Sequence, residues 1–149
     1  MKLPTKTGEV AKPLYTVTAP KDSKHTEVVS SPLLHDGLVY SICEGGTLAV
    51  VEAQTGKEAY FATPFTVDVK WVFNPGVCES PTLAGTNIYL MNDTGTTIVL
   101  QPGRSYKALA TNVLEEAPLG GFNFLSSPWF EGKCMYYRSA NYLYCIGER

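Results

Sequence analysis

Charge is scarce in this sequence. Only 17% of the 149 residues are charged, 12 basic against 14 acidic, for a formal net charge of −2. No basic stripe is available to neutralise phosphates, which excludes nucleic acid as a partner, and nothing suggests acidic substrates. No apolar run approaches the roughly 18 residues that a membrane-crossing helix needs, so no transmembrane segment is expected. The opening Met1-Lys2-Leu3-Pro4-Thr5-Lys6-Thr7-Gly8 has charge but no apolar core and is not a secretory signal. The chain is therefore expected either to be intracellular or to lack its true amino terminus.

The chemistry-bearing residue types are equally sparse. There are two histidines, His25 and His35, and four cysteines, Cys43, Cys78, Cys134 and Cys145, with neither CxxC spacing nor a zinc pattern. The cysteines read as small apolar fillers within strands, with a structural disulfide as the alternative. Gly-x-Ser-x-Gly is absent, Glu9, Asp22 and Glu115-Glu116 are too scattered to form a carboxylate pair, and Asn92-Asp93-Thr94-Gly95 lacks the further acidic ligands of a calcium loop. No catalytic constellation and no metal site is expected.

What the chain does contain is a repeat. Ser30-Ser31-Pro32 opens a stretch that runs through Gly37, Leu38-Val39-Tyr40, Gly46 and Ala49-Val50-Val51 to Thr55-Gly56-Lys57. Glu79-Ser80-Pro81 opens a second copy, through Gly85, Ile88-Tyr89-Leu90-Met91, Gly95 and Ile98-Val99-Leu100 to Pro102-Gly103-Arg104. Ser126-Ser127-Pro128 opens a third, through Gly132, Met135-Tyr136-Tyr137 and Asn141 to Leu143-Tyr144-Cys145-Ile146. From Pro32 to Pro81 is 49 residues and from Pro81 to Pro128 is 47, a period that marks a repeat architecture.

The first two copies each predict four short strands separated by turn residues, and the third predicts three. In the first these are residues 28–34, 38–43, 47–53 and 57–63, with Asp36-Gly37 as a tight hairpin turn. In the second they are 79–83, 87–92, 96–101 and 105–111. The third predicts 124–130, 133–139 and 142–146, with Asn141 at the place of the turn glycines Gly46 and Gly95, and stops before a fourth strand. Residues 14–18 read as a further strand. The middle strands are near-continuous apolar runs, so both faces should be covered. Four-stranded antiparallel sheets stacked around an axis provide that cover. The expected class is all-β, a β-propeller of about three blades. A two-sheet sandwich is the alternative, but it leaves the period unexplained.

This pattern resembles the PQQ-like β-propeller repeat family, whose blades pass from Ser-Pro through two glycine turns to Asp-Ala-x-Thr-Gly-Lys and a tryptophan. Glu52-Ala53-Gln54-Thr55-Gly56-Lys57 matches most closely, with Tyr60 at the tryptophan place. The resemblance covers about residues 7–147 and implies one partial propeller over 1–149. Residues 7–24 would end a preceding blade, because Thr7-Gly8-Glu9 lies 48 positions before Thr55-Gly56-Lys57. Blade 1 would occupy 25–70, blade 2 71–118, and blade 3 119–149 without its outer strand. The family includes quinoprotein dehydrogenases that hold pyrroloquinoline quinone and calcium within a larger ring, often with a disulfide between adjacent cysteines. No Cys-Cys pair is present here, and the expectation is no cofactor. Family resemblance implies a periplasmic or extracellular location.

Strand parity places the second-to-third-strand hairpins on one face together with the links between blades. That face gathers the candidate ligand or partner residues: Trp71, Phe73, Asn74, Asn92, Asp93, Phe122, Asn123 and Asn141. Aromatic planes beside amides suit a sugar, a peptide or a partner loop; the competing reading wedges the aromatics between blades. Three blades leave two open faces, which makes either a homo-oligomer or the remainder of a longer propeller the expected partner. The functional expectation is a non-catalytic binding or scaffolding propeller for protein or carbohydrate, as in family members that include a periplasmic outer-membrane assembly scaffold. The alternatives are a quinoprotein dehydrogenase fragment and the sensor module of a larger signalling protein.

Overall fold

The structure, a computed structural model, describes residues 12–18, 30–43, 45–65, 79–114, 126–139 and 141–147. The described residues form three antiparallel sheets. The first joins β1 (Leu33–His35), β2 (Leu38–Ile42), β3 (Leu48–Glu52) and β4 (Glu58–Ala62) in sequence order. The second repeats that order with β5 (Thr82–Ala84), β6 (Asn87–Met91), β7 (Thr96–Leu100) and β8 (Ala108–Val113). The third has β9 (Trp129–Glu131), β10 (Cys134–Arg138) and β11 (Leu143–Gly147). The expected propeller blades are present, and we call the sheets blades 1 to 3.

The inner strands are shorter than the sequence suggests, and the reason lies in the Ser-Pro motif. Pro32, Pro81 and Pro128 have no N–H for a ladder. Two of the preceding serines also commit their N–H elsewhere: that of Ser31 donates to Ser80 Oγ at 2.8 Å and that of Ser80 to Ser127 Oγ at 3.0 Å. Strand pairing therefore starts only beyond each proline. The expected strand at 14–18 is also corrected. Residues 15–18 are described without strand pairing, and a strand is defined by a partner that the described residues do not supply here.

Hairpin geometry follows the turn chemistry. Asp36 and Gly37 both take positive φ, 46° and 73°, the pair of left-handed residues that a type I′ turn requires. In blades 2 and 3 the first turn residue is itself glycine, Gly85 (φ 59°) and Gly132 (φ 58°). Asp36, rather than Gly37, is thus their structural equivalent. The register between the third and fourth strands shifts at Val50/Val51 and again at Val99/Leu100. These bulges fall at matching places in blades 1 and 2, bending each outer strand.

Face sharing along each strand explains the apolar runs. Leu38, Tyr40, Ile42, Leu48 and Val50 of blade 1 pack against Ile88, Leu90, Ile98 and Leu100 of blade 2 in one buried cluster. Each fully buried side chain of this size contributes about 2 kcal/mol. The opposite side of blade 2 faces blade 3, where Met91 and Tyr137 are buried with Met135 and Tyr144 against them and Tyr89 meets Phe130 at 4.5 Å between ring centroids. Blade 2 is therefore covered on both faces.

Candidate functional site

The face carrying the β2–β3 and β6–β7 hairpins is built from the motif serines inward. Ser30 Oγ donates to Ile42 O at 2.8 Å, and Ser126 Oγ donates to Arg138 O at 3.1 Å. Each fastens the entry of an inner strand to the end of the strand beside it. The next serine of each motif then links blade to blade, through the Ser31–Ser80 and Ser80–Ser127 bonds. Blade 2 departs from this pattern. Glu79 stands where the others have serine, is buried at 2% exposure, and accepts a hydrogen bond from Tyr137 Oη of blade 3 at 3.4 Å.

Tyr137 is the centre of the blade 2–blade 3 junction. Its hydroxyl also lies 3.4 Å from Asn92 O. Burial pushes its pKa up, and the charges of Glu79 and Asp93 raise it further. Phenol and carboxylates thus form a compact polar knot inside the junction, with Asp93 also buried at 2% exposure. Below the knot the two blades diverge around a cleft of about 830 Å³ lined by Tyr89, Met91, Thr97, Phe130, Met135 and Ile146 among others.

Of the residues expected on this face, Trp71, Phe73, Asn74, Phe122 and Asn123 lie outside the described residues. Asn92 Oδ1 accepts from the N–H of Thr94 (3.2 Å), the hydroxyl of Thr94 (2.9 Å) and the N–H of Thr96 (2.8 Å). Its amide oxygen is spent on closing its own hairpin, an Asx-turn arrangement. Asp93 points into the junction. Asn141 is exposed at the tip of the β10–β11 hairpin, which Ser139 closes by its N–H to Tyr142 O at 2.9 Å and by its Oγ accepting from the Tyr142 N–H at 3.1 Å. The sequence reading missed Glu79 and Tyr137. The available signal was the replacement of Ser30 and Ser126 by glutamate at the same repeat position.

The turn motif on the opposite face is also a blade joint. Glu52 Oε2 accepts from Thr55 Oγ1 at 2.8 Å, and Glu52 Oε1 pairs with Arg104 Nη1 of blade 2 at 2.7 Å. These bonds, that to Arg104 first, hold the Glu52 carboxyl below its ordinary value. Tyr40 Oη accepts the Gly103 N–H at 2.9 Å. Cys43, Cys134 and Cys145 are free thiols; a hydrogen bond to Cys145 is the main cause raising the pKa of Cys134. Among the described residues no group of three or more His, Cys, Asp or Glu is placed to hold a metal ion. No described helix is long and apolar enough to cross a membrane.

No protein-family model and no curated protein matches the sequence. Solved structures do match. BamB from Moraxella catarrhalis is similar over 80% of this chain and 33% of its own length, with a TM-score of 0.56 at 10% identity. The quinohemoprotein alcohol dehydrogenase from Comamonas testosteroni is similar over 77% of this chain and 17% of its own, with a TM-score of 0.56 at 15% identity. The fold is that of β-propeller blades. At such identity the likeness concerns the fold alone, and the chain spans a third or less of either protein.

Proposed function

We propose that this chain is a non-catalytic propeller module, related to the PQQ-like repeats, that presents its β2–β3 hairpin face to a protein or carbohydrate partner. One observation carries the reading: four polar side chains of that face are engaged in fastening strands and blades together. Asn92 closes a hairpin, Ser30 and Ser126 anchor inner strands, and Glu79 holds Tyr137. A surface stiffened in this way is preorganised for binding, because little conformational entropy remains to be lost when a partner docks. Quinone and calcium have no part in this reading. The likeness to BamB is compatible with a scaffold, while the likeness to a dehydrogenase reaches only the blade arrangement.

The test is a titration of isotope-labelled protein with a panel of neutral oligosaccharides and extended peptides, followed by amide shifts. Shifts grouped at residues 92–95 and 141 are expected. Shifts grouped on the Thr55-Gly56 face instead, or dye reduction on adding pyrroloquinoline quinone with calcium, would overturn the proposal.

A further inference from the structure

The serine link between blades has a direction. In each step the N–H of the earlier blade donates to the hydroxyl oxygen of the later one, Ser31 to Ser80 and then Ser80 to Ser127. At the two ends of the series the described residues supply no donor to Ser31 Oγ and no acceptor to the Ser127 N–H. The ends are thus complementary in hydrogen-bonding sense, and among the described residues no sheet packs on the outward side of either blade, although Tyr15, Val17 and Thr18 lie at the edge of that of blade 1.

Those faces are complementary in shape type as well. Tyr40, Tyr89 and Tyr136 occupy the same repeat position. The first is buried against blade 2, and the second meets Phe130 of blade 3. Tyr136 lies opposite Trp129 and Cys145 in the sheet register, on the side of blade 3 turned away from blade 2. Leu143 shares that side and is 74% exposed, as Trp129 is 68% exposed. At the other end, Val39, Ala49, Val51 and Phe61 line the outer side of blade 1 around a cavity of about 500 Å³. Val39 there corresponds to Ile88 and Met135, the residues that receive a preceding blade in blades 2 and 3.

Residues 12–18 complete the match. Tyr15 Oη donates to Ala53 O at 2.8 Å, and its ring covers Gly56, so the segment rests against the turn that precedes β4. Within the chain the corresponding contact is made by an outer strand: Tyr60 of β4 meets Tyr106, just ahead of β8, with centroids 6.5 Å apart. Residues 12–18 therefore lie where the outer strand of a preceding blade belongs. Among the described residues β11 pairs with β10 alone, leaving one edge open where such a strand is wanted.

We infer that a second copy of this chain docks head to tail, its blade 3 covering the outer side of blade 1 and its β11 edge pairing with residues 12–18. Its Ser127 N–H then meets Ser31 Oγ and continues the serine series across the joint. The contact is heterologous, and it closes when the blades complete a ring; two copies supply six blades. Apart from its serine link, which lies at the edge of the hairpin face, this interface runs along the sides of the blades and leaves the hairpin tips proposed for partner binding free of it.

Light scattering on the full 149-residue chain tests it. The expected mass is twice the 16.3 kDa of the chain, or a higher closed multiple; a well-folded monomer at all concentrations overturns the inference. Leu143→Glu, at an exposed position, should return the mass to that of one chain with an unchanged circular dichroism spectrum, and an unchanged mass would place the interface elsewhere. Ser31→Ala removes a hydroxyl that bonds nothing within the described chain. It should weaken association by roughly tenfold, the worth of one hydrogen bond, while leaving the unfolding temperature of the Leu143→Glu monomer unaltered. Unchanged association in Ser31→Ala would sink the continued series.

Discussion

Tyr137 shows how a single side chain holds two blades in register. Its ring is 1% exposed, and its hydroxyl sits among the Glu79 carboxylate, the Asn92 carbonyl and the charge of Asp93. Ionising it there would set an anion against two carboxylates away from water, so the folded state holds the proton well beyond the ordinary value of 10.0. The linkage has one sign. Below pH 10 the contribution is complete; above it the unfolded chain ionises and the folded one does not, so stability falls as pH rises. Tyr40 is shifted in the same direction by burial. Thermal unfolding followed across the alkaline range should therefore show a steep decline starting near pH 10, and Tyr137→Phe should make it shallower while the share of the other raised tyrosines, Tyr40 and Tyr60 among them, remains. A variant that retains the full decline would remove Tyr137 from this role. At neutral pH the same substitution should cost about 1 kcal/mol in chemical denaturation, because the buried Glu79 loses a donor.

The connecting turns carry as much of the architecture as the strands do. Glu52 ends β3 and reaches both Thr55 in its own turn and Arg104 in the next blade. Arg104→Ala should lower the unfolding temperature slightly at neutral pH. Because the Glu52 pKa is depressed in the fold, the difference should persist above the ordinary value of 4.5 and close as pH falls below it, and added salt should shrink it. A difference that is constant with pH would assign the effect to packing of the arginine stem. Gly56 has φ 70° and lies under the Tyr15 ring. Gly56→Ala forces a Cβ into both a left-handed backbone and that ring, at a cost of roughly 1–3 kcal/mol. It should also release residues 12–18, read as faster limited proteolysis within that segment, whereas unchanged cleavage would mean that Tyr15 does not anchor it. Much of this level was legible beforehand. Asp-Gly and the recurring glycines marked the hairpins, and the apolar runs marked strands covered on both sides. The strand starts were not legible, because they depend on where Ser31 and Ser80 send their N–H groups. The expected strand at 14–18 failed for a related reason: local β-propensity does not provide a pairing partner.

Across the molecule, the two blade junctions differ in kind. Among the described residues, the first is a continuous apolar cluster of ten buried residues, and the second is smaller, with Met91 and Tyr137 buried and a cleft beside them. Native-state hydrogen exchange should accordingly show amides of β2, β3 and β7 exchanging most slowly and those of β10 and β11 opening at lower free energy. Equal protection in all three blades would contradict this gradient. The repeat period conveyed the blade plan because it is a physical distance along the chain: the 49 and 47 residues between Ser-Pro motifs are the separations bridged by the two serine hydrogen bonds. The Glu79–Tyr137 pair escaped the sequence reading because its partners are 58 residues apart, off the repeat spacing. Of the expected site residues, Asn92 and Asp93 lie at the β6–β7 hairpin, where Asn92 closes the turn and Asp93 is buried.

The serine connection also bears on how such a chain can change length. Its donor and acceptor come from the same motif in successive units, so splicing in one more unit would join to both flanking units with the bonds already in use. Growth or shrinkage by whole units leaves no polar group newly stranded at the splice, and selection could alter ring size without redesigning a joint.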